Sequence, residues 1–121
     1  MNFTEAITSG FQNYANFSGR AQRSAFWYWA LFGFLASIVA GILDYSLFGE
    51  SGTPVLQSLF TLATIIPYLA VGARRLHDTG RSGWWQLLLF IPLIGLIVLI
   101  VWWASRGTPG PNRFGPNPLG E

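Results

Sequence analysis

The densest group of side chains that could do chemistry lies between Arg74 and Trp85 (RRLHDTGRSGWW). Three arginines, one histidine, one aspartate and two hydroxyl side chains fall within these twelve residues. An arginine fork binds phosphate through two hydrogen bonds, and a helix start adds unpaired backbone N–H groups and a partial positive charge. Ser82 or Thr79 could cap such a start. The pattern predicts a site for an anionic group, such as a lipid head group, at a membrane surface.

Membrane anchoring is the alternative role for this segment. Basic residues beside an apolar span hold it at the cytoplasmic side, and Asp78 could pair with Arg74 or Arg81 at a spacing of four or three residues. Guanidinium groups on the N-terminal side of the chain extend the same basic surface. The candidate lipid- or anion-binding residues are Arg20, Arg23, Arg74, Arg75, His77, Asp78, Arg81 and Ser82.

Catalysis by His77 and Asp78 is the enzymatic alternative, as an enzyme acting on a lipid head group. Adjacent side chains diverge on a helix or a strand, so these two do not form a dyad. The triplet Asp78-Thr79-Gly80 has the same sequence as the catalytic triplet of aspartic proteases. Those enzymes, however, need two such aspartates, which share a proton within a β-rich fold. The segment has too few ligands for a metal site, and the chain has no cysteine. We therefore predict no catalytic residues, no metal and no cofactor.

The charged residues also outline the elements that position this segment. Only 12 of the 121 residues are charged, against 6 Trp, 4 Tyr and 10 Phe, which excludes a soluble monomer and a disordered chain. Three uncharged stretches are each long enough to cross about 30 Å of hydrocarbon as a helix. We predict an all-α membrane protein that forms a single domain over 1–121, with transmembrane helices over 24–43, 54–73 and 82–105.

The distribution of arginines predicts a cytoplasmic N-terminus in a bacterial inner (plasma) membrane. Five arginines would then lie inside, and Arg106 and Arg113 outside. The alternative is a re-entrant hairpin, in which the chain turns back at Pro92 and all seven arginines share one side. Each arm would have only about ten residues, and a turn in lipid would leave backbone groups unpaired. We therefore favour a kinked third span.

The segments outside the spans differ in character. Apolar residues recur at helical spacing in the arm 1–23, and Asn2 with Glu5 forms a capping-box pattern, which predicts an interfacial amphipathic helix; the alternative is a loosely ordered arm. Half of 106–121 is Gly or Pro, which predicts a flexible tail. In the first loop, Thr53 is expected to cap the second span and Pro54 to occupy its first helical position. The apolar stripe of the arm is Phe3, Ile7, Phe11 and Tyr14.

Small residues recur every fourth position on the first span, at Gly33, Ser37 and Gly41. Such a stripe lets two helix backbones approach closely in lipid. The stripe is compatible with packing within the chain and with the interface of a homo-oligomer. The residue types alone do not distinguish these two arrangements.

Polar residues follow one face of the second span, at Gln57, Thr61, Thr64 and Tyr68. Polar groups in a span usually bond to a neighbouring helix. The functional alternative is an oligomeric channel or small-solute transporter lined by this face, but the stripe has no acid or base. We therefore favour packing.

These motifs together resemble the domain of unknown function 805 family of small bacterial inner-membrane proteins. The resemblance is carried by Phe17-Ser18-Gly19-Arg20-Ala21 with Arg23 and Phe26-Trp27, by Arg74-Arg75-Leu76-His77-Asp78 with Gly80 and Ser82-Gly83-Trp84-Trp85, by Pro92 with Gly95, and by Asn112-Arg113-Phe114-Gly115 with Pro118. The chain departs from it at Ser24-Ala25, where a glutamate is expected. The resemblance implies a location and a fold type, and no activity.

The sequence favours a non-enzymatic membrane interaction or adaptor protein. Its arginine-rich inner loop would bind anionic lipid head groups or a partner. The expected partners are membrane lipids and a second copy of the chain or another membrane protein. Nucleic acid is not expected, because the basic residues are divided between membrane-adjacent segments.

Overall fold

The computed structural model describes residues 1–50 and 52–120, and all regular secondary structure in this part of the chain is helical apart from one isolated bridge between Asn112 and Gly115. Two helices are long and apolar enough to cross a membrane, and one further apolar helix is shorter. The predicted all-α class is thus confirmed for the described residues, whereas three spans are not. The helices are α1 (Phe3–Gln12), α2 (Arg23–Phe48), α3 (Val55–Asp78), a 3₁₀ helix (Gly83–Phe90) and α4 (Ile94–Ala104).

The two long helices, α2 and α3, pack antiparallel through the small-residue stripe and the polar stripe. A Cβ at Gly33 would overlap the Tyr68 hydroxyl, and a Cβ at Gly41 would touch Gln57. Gln57 Nε2 donates to the carbonyl and hydroxyl oxygens of Ser37, both at 3.3 Å. The stripe of Gly33, Ser37 and Gly41 therefore faces α3 of the same chain. This is the first of the two alternatives for the stripe, packing within the chain.

The start of α3 is capped by a carboxylate from α2. Asp44 is buried, and its Oδ1 and Oδ2 accept from the backbone N–H groups of Leu56 and Gln57 at 2.8 and 2.9 Å. A carboxylate satisfies free N–H groups and the positive end of the helix dipole together. The prediction that Thr53 caps this helix is wrong, because Pro54 takes the cap position with no side-chain hydrogen bond and the helix begins at Val55.

Replacing Asp44 with alanine is expected to destabilise the α2–α3 pair by about 1–2 kcal/mol, since two helix-start N–H groups lose their acceptor. The measurement is the free energy of unfolding in mixed micelles. Glu50→Ala is the control, because Glu50 is an exposed carboxylate at the same end of the spans. Equal effects of the two substitutions would show that the Asp44 contacts do not hold the helix.

The N-terminal helix α1 lies across α2. The predicted capping box is confirmed, since Asn2 Oδ1 accepts from Glu5 N at 2.8 Å and Glu5 Oε1 accepts from Asn2 N at 3.1 Å. Phe11 packs edge-to-face on Trp29 with ring centroids 5.2 Å apart. The Tyr14 hydroxyl donates to the carbonyl of Ala63 on α3. This helix therefore packs within the chain through its buried Ala6 and Gly10, whereas Phe11 stays 52% exposed.

Residues 82–105, predicted as one kinked helix, form instead a hairpin of the 3₁₀ helix and α4. Leu93 has a φ of 67° and a ψ of −65°, and Ile94 N donates to Pro92 O at 2.8 Å, so the chain reverses in a γ-turn. The backbone N–H groups of Gly95 and Ile97 are also bonded, to Ile91 O and Leu93 O. Several backbone groups of the turn are thus bonded within the chain, which weakens the argument that a turn in lipid would leave its backbone groups unpaired.

The two free ends of the hairpin lie at one end of the α2–α3 pair, where α2 begins and α3 ends. Trp85 packs edge-to-face on Trp102 with centroids 5.7 Å apart, and the Arg81 guanidinium lies 4.5 Å from the Trp102 ring centroid. The main buried cluster also lies at this end. We call it the arginine end, because Arg20, Arg23, Arg74, Arg75, Arg81, Arg106 and Arg113 lie there or on the segments that leave it.

Candidate functional site

A buried cluster of two arginines and one aspartate organises the arginine end. Arg20 Nε donates to Asp78 Oδ1 at 2.9 Å, and Arg75 Nη1 donates to Asp78 Oδ2. The two arginine side chains are 1% and 0% exposed. The predicted pairing of Asp78 with Arg74 or Arg81 is wrong. The carboxylate faces the buried side of α3, where it contacts Arg75 and Arg20, and Arg20 lies in the linker between α1 and α2.

Arg20 fastens the C-terminal tail to α3. Its Nη1 donates to Gly110 O at 2.7 Å, and its Nη2 donates to Thr108 O at 2.6 Å. Thr108 N in turn donates to Asp78 O at 2.7 Å. The tail that was predicted to be flexible is therefore docked along at least Thr108 to Gly115, although it has no helix.

Arg75 joins three segments that are distant in sequence. Its Nε donates to Trp103 O at 2.8 Å, its Nη1 to Ala21 O at 2.9 Å, and its Nη2 to Ser105 O. These carbonyls belong to the end of α4 and to the linker between α1 and α2. Arg20 and Arg75 were both predicted as lipid-binding candidates. Their N–H groups instead donate hydrogen bonds to other residues of the same chain.

His77 is held in a defined orientation and tautomer. Its Nδ1 lies 2.9 Å from Gly19 O, and its ring stacks on Phe114 with centroids 4.0 Å apart and planes 5° from parallel. Because a carbonyl oxygen only accepts, Nδ1 carries the hydrogen, and in the neutral ring Nε2 is then an acceptor. The Asp78 carboxylate has different partners, Arg20 and Arg75, and no hydrogen bond joins it to the His77 ring within the described residues.

A cavity of about 620 Å³ lies between α3, the 3₁₀ helix and the linker before α2. Its walls are mainly apolar, and its polar side chains are His77, Ser82 and Gln86. Ser82 Oγ accepts from Trp84 N at 3.2 Å, so this predicted helix cap is present. No arginine is among the described residues that line the cavity. The lining residues are Phe17, Leu69, Ala73, His77, Ser82, Gly83, Trp84, Gln86, Leu87, Leu89 and Phe90.

Arg74 has a different environment from its neighbour Arg75. Its residue is only 6% exposed, yet its Nε is enclosed without a hydrogen-bond partner and no carboxylate pairs with it within residues 1–50 and 52–120. The two terminal nitrogens make no hydrogen bond within the same residues and are not fully enclosed. A guanidinium taken from water without a counter-charge is costly. Arg74 is thus the candidate arginine with unused binding capacity.

The other candidates lie nearer the surface. Arg23 is exposed, and its Nη1 lies 3.4 Å from Ala104 O. Arg81 is half-buried against Trp102. Groups of three or more histidine, cysteine, aspartate or glutamate side chains that could hold a metal ion are not found among the described residues.

Comparison with known proteins places these features in a family. Residues 14–116 match the family model described as "Protein of unknown function (DUF805)". This chain belongs to the DUF805 family. The match includes the linker with Arg20, all of α3 and the tail through Phe114, which are the segments that Arg20, Arg75 and Asp78 bring together.

Named relatives of this DUF805 chain are found in Escherichia coli (strain K12). "Inner membrane protein YhaH" is 43% identical over 109 residues, which cover 88% of this chain and 90% of the relative. "Inner membrane protein YhaI" is 44% identical over 107 residues, covering 88% and 89%. "Uncharacterized protein YiiR" is 29% identical over 126 residues, covering 83% and 84%. No solved structure matches. These relatives and the two long apolar helices together support an inner-membrane protein.

Two contacts between the tail and His77 do not follow from the local sequence of this DUF805 chain. The first is the stacking of Phe114 on His77, and the second is the hydrogen bond from Asn112 Nδ2 to His77 O at 2.9 Å. The segment Asn112-Arg113-Phe114-Gly115 carried part of the family resemblance, and this was the available signal that the tail has a fixed place.

Proposed function

We propose that this DUF805 protein is a non-enzymatic inner-membrane protein whose arginine end binds an anionic lipid head group, with Arg74 as the principal contact. In this proposal α2 and α3 cross the membrane, the hairpin re-enters from the arginine end, and both ends of the chain are cytoplasmic. All seven arginines then lie on the side that the positive-inside rule assigns to the cytoplasm.

The unpartnered guanidinium of Arg74 carries the proposal. Its neighbours Arg20 and Arg75 already occupy the carboxylate of Asp78 and several backbone carbonyls. Arg74 therefore needs an acceptor from outside the chain, and a phosphate supplies two oxygens in the geometry that a guanidinium fork matches. A lipid is the favoured source, because the residue lies where an apolar helix reaches the membrane surface.

The net charge of the arginine end supports an anionic ligand. Among the described carboxylates, Asp44 caps α3 at the opposite end and Asp78 is already shared by two arginines. The arginine end consequently has more guanidinium groups than carboxylates. Anionic head groups are attracted to such a surface, with about 1 kcal/mol for each basic residue near it.

Hydrogen bonds within the chain argue against the transport alternative. Gln57 bonds to Ser37 on α2, and the hydroxyls of Thr61 and Thr64 bond to carbonyls of their own helix at 2.9 Å. The polar groups of this stripe therefore form hydrogen bonds to α2 and within α3.

Replacing Arg74 with glutamine is expected to weaken phosphatidylglycerol binding about tenfold, because one charge-assisted fork is lost. The measurement is a titration of purified protein in zwitterionic micelles with a short-chain phosphatidylglycerol, with native mass spectrometry to count retained lipids. We expect Arg74→Gln to unfold no more easily than the unsubstituted chain when anionic lipid is absent, since it removes an unpaired buried charge.

Arg113→Gln is the matched control. It removes the same charge from the same end, but Arg113 is exposed and already contacts the Phe114 ring and Gly80 O. We expect less than a twofold change. Equal losses for both variants would show diffuse charge attraction, and an unchanged affinity of Arg74→Gln would reject Arg74 as the contact. Retention of another protein in place of lipid would favour the adaptor role.

A further inference from the structure

We propose that the cavity beside His77 binds an uncharged, hydroxyl-bearing membrane lipid of the acylglycerol class, whose hydroxyl donates a hydrogen bond to His77 Nε2. This site is separate from Arg74 and does not depend on the anionic-lipid proposal. The two ligands differ in chemistry. The ligand at Arg74 is an anion that accepts hydrogen bonds, whereas the ligand at His77 is uncharged and donates one.

The size and walls of the cavity suit a small amphiphile. Its volume of about 620 Å³ lies within the range of about 300–1,000 Å³ that is typical of small-molecule sites. Leu69 and Ala73 of α3 form one wall, and Leu87 and Phe90 of the hairpin belong to the other. Apolar walls with a few polar groups at defined places are the usual composition of such sites.

His77 Nε2 defines the polar group of the ligand. The residue is 9% exposed, and in the neutral ring the bond from Nδ1 to Gly19 O leaves Nε2 as an acceptor. Within residues 1–50 and 52–120 Nε2 has no hydrogen-bond partner, and it lies 3.5 Å from where a Cβ on the lining residue Gly83 would stand. Phe114 stacks on the ring and holds its plane. An acceptor held rigidly at an apolar cavity matches a hydroxyl donor.

The absence of charged side chains from the described lining argues against an anionic occupant of this cavity. A lipid phosphate brought here would have to leave water without a guanidinium to pair with. A neutral acylglycerol has no charged group that must leave water. Its hydroxyl exchanges one hydrogen bond to water for one to His77.

The position of the cavity indicates that the ligand enters from the bilayer. Trp84 and Phe90, which line it, are 80% and 82% exposed, and Leu87 is 55% exposed. These residues belong to the apolar hairpin, and large apolar side chains exposed to this degree are expected to face lipid. A lipid chain can therefore enter along the hairpin while its hydroxyl reaches His77.

The test uses a photoactivatable monoacylglycerol and its dimethyl ether, in which both hydroxyls are capped, with the full chain in lipid nanodiscs. We expect the monoacylglycerol to label peptides of the cavity lining at least tenfold more than the ether does, because only the former donates to Nε2. Labelling spread evenly over α2 and α3, or equal labelling by the two probes, would overturn the proposal. This comparison needs no substitution, so it decides even where a variant fails to fold.

Two substitutions locate the site. His77→Phe keeps an aromatic ring against Phe114 but removes the acceptor, so labelling is expected to fall about tenfold and the difference between the probes to vanish. Ala73→Phe fills the cavity and is expected to abolish labelling of its lining. Ala63→Phe, the same change at an exposed position of α3, is expected to label like the unsubstituted chain. Unchanged labelling of both cavity variants would reject the site.

The outcome is distinguishable from that of the anionic-lipid experiment. Arg74→Gln is expected to leave monoacylglycerol labelling unchanged, because Arg74 does not line the cavity. Loss of labelling in Arg74→Gln with a normally folded protein would show that the two sites are one, and would overturn the separate assignment made here.

Discussion

Asp78→Asn is expected to lower the free energy of unfolding by about 3–5 kcal/mol, the largest effect of any single substitution considered for this chain. The carboxylate of Asp78 is the counter-charge of Arg20 and of Arg75, and both guanidinium groups are almost fully buried. Asparagine retains the shape but not the charge. Two buried cations would then remain without compensation at the junction of the linker, α3 and the tail.

Tryptophan fluorescence during reversible unfolding in mixed micelles measures this effect. Glu5→Gln is the control, because Glu5 is an exposed carboxylate whose Oε1 accepts only from Asn2 N among the described contacts, and its change is expected to stay below about 1 kcal/mol. In a double-mutant cycle, Arg20→Gln is expected to cost less in the Asp78→Asn background than alone. Purely additive losses would contradict a charge cluster.

Gly95→Ala is expected to destabilise the hairpin by about 3 kcal/mol, at the upper end of overpacking costs. A Cβ at Gly95 would overlap the carbonyl of Leu88, and this obstacle is backbone that cannot rotate away. The γ-turn at Leu93 leaves little freedom to move the arms apart. We therefore expect the arms to separate and the contact between Trp85 and Trp102 to be lost.

Gly41→Ala is the matched control for Gly95→Ala. Gly41 is also helical, but the nearest atom to an added Cβ there is Gln57 Nε2 at 3.5 Å, an ordinary contact. Alanine at that position is expected to be neutral or to stabilise by up to about 1 kcal/mol, because alanine favours helix. Similar losses for the two variants would show that the hairpin geometry is not the cause.

Features that depend on near neighbours in the chain could be predicted from the sequence. The capping box of Asn2 and Glu5 lies within one helical turn, and the stripe of Gly33, Ser37 and Gly41 follows from helical period alone. The absence of charge over long apolar stretches likewise predicted the helical class, since only helices and closed barrels satisfy their backbone in lipid.

The features that depend on distant partners could not be predicted in this way. Asp78 lies 58 residues from Arg20, and nothing in local spacing favours that partner over Arg74 or Arg81. Pro92 fits a kinked helix and a turn equally well, and the turn is decided by the bonds around Leu93 and the close approach of Gly95 to Leu88. The docked tail was missed because glycine and proline indicate a lack of helix, which is not the same as a lack of order.

The structure also divides arginines that look equivalent in sequence. Arg74 and Arg75 are adjacent, yet the Arg75 side chain bonds to the linker and to the end of α4, whereas the Arg74 side chain has no hydrogen-bond partner among the described residues. A survey of basic residues alone would assign both to the membrane surface. Burial and donor use separate the arginine that holds the fold from the arginine left for a ligand.

Single-cysteine labelling tests the central proposal, that the chain crosses the membrane twice and gathers its arginines on one side. The chain has no cysteine, so Glu50→Cys and Leu119→Cys can each be probed with a membrane-impermeant maleimide on intact cells. We expect Glu50→Cys to be labelled from outside, whereas Leu119→Cys is labelled only after lysis. Labelling of Leu119→Cys on intact cells would show a third crossing and would contradict the hairpin and the shared arginine face.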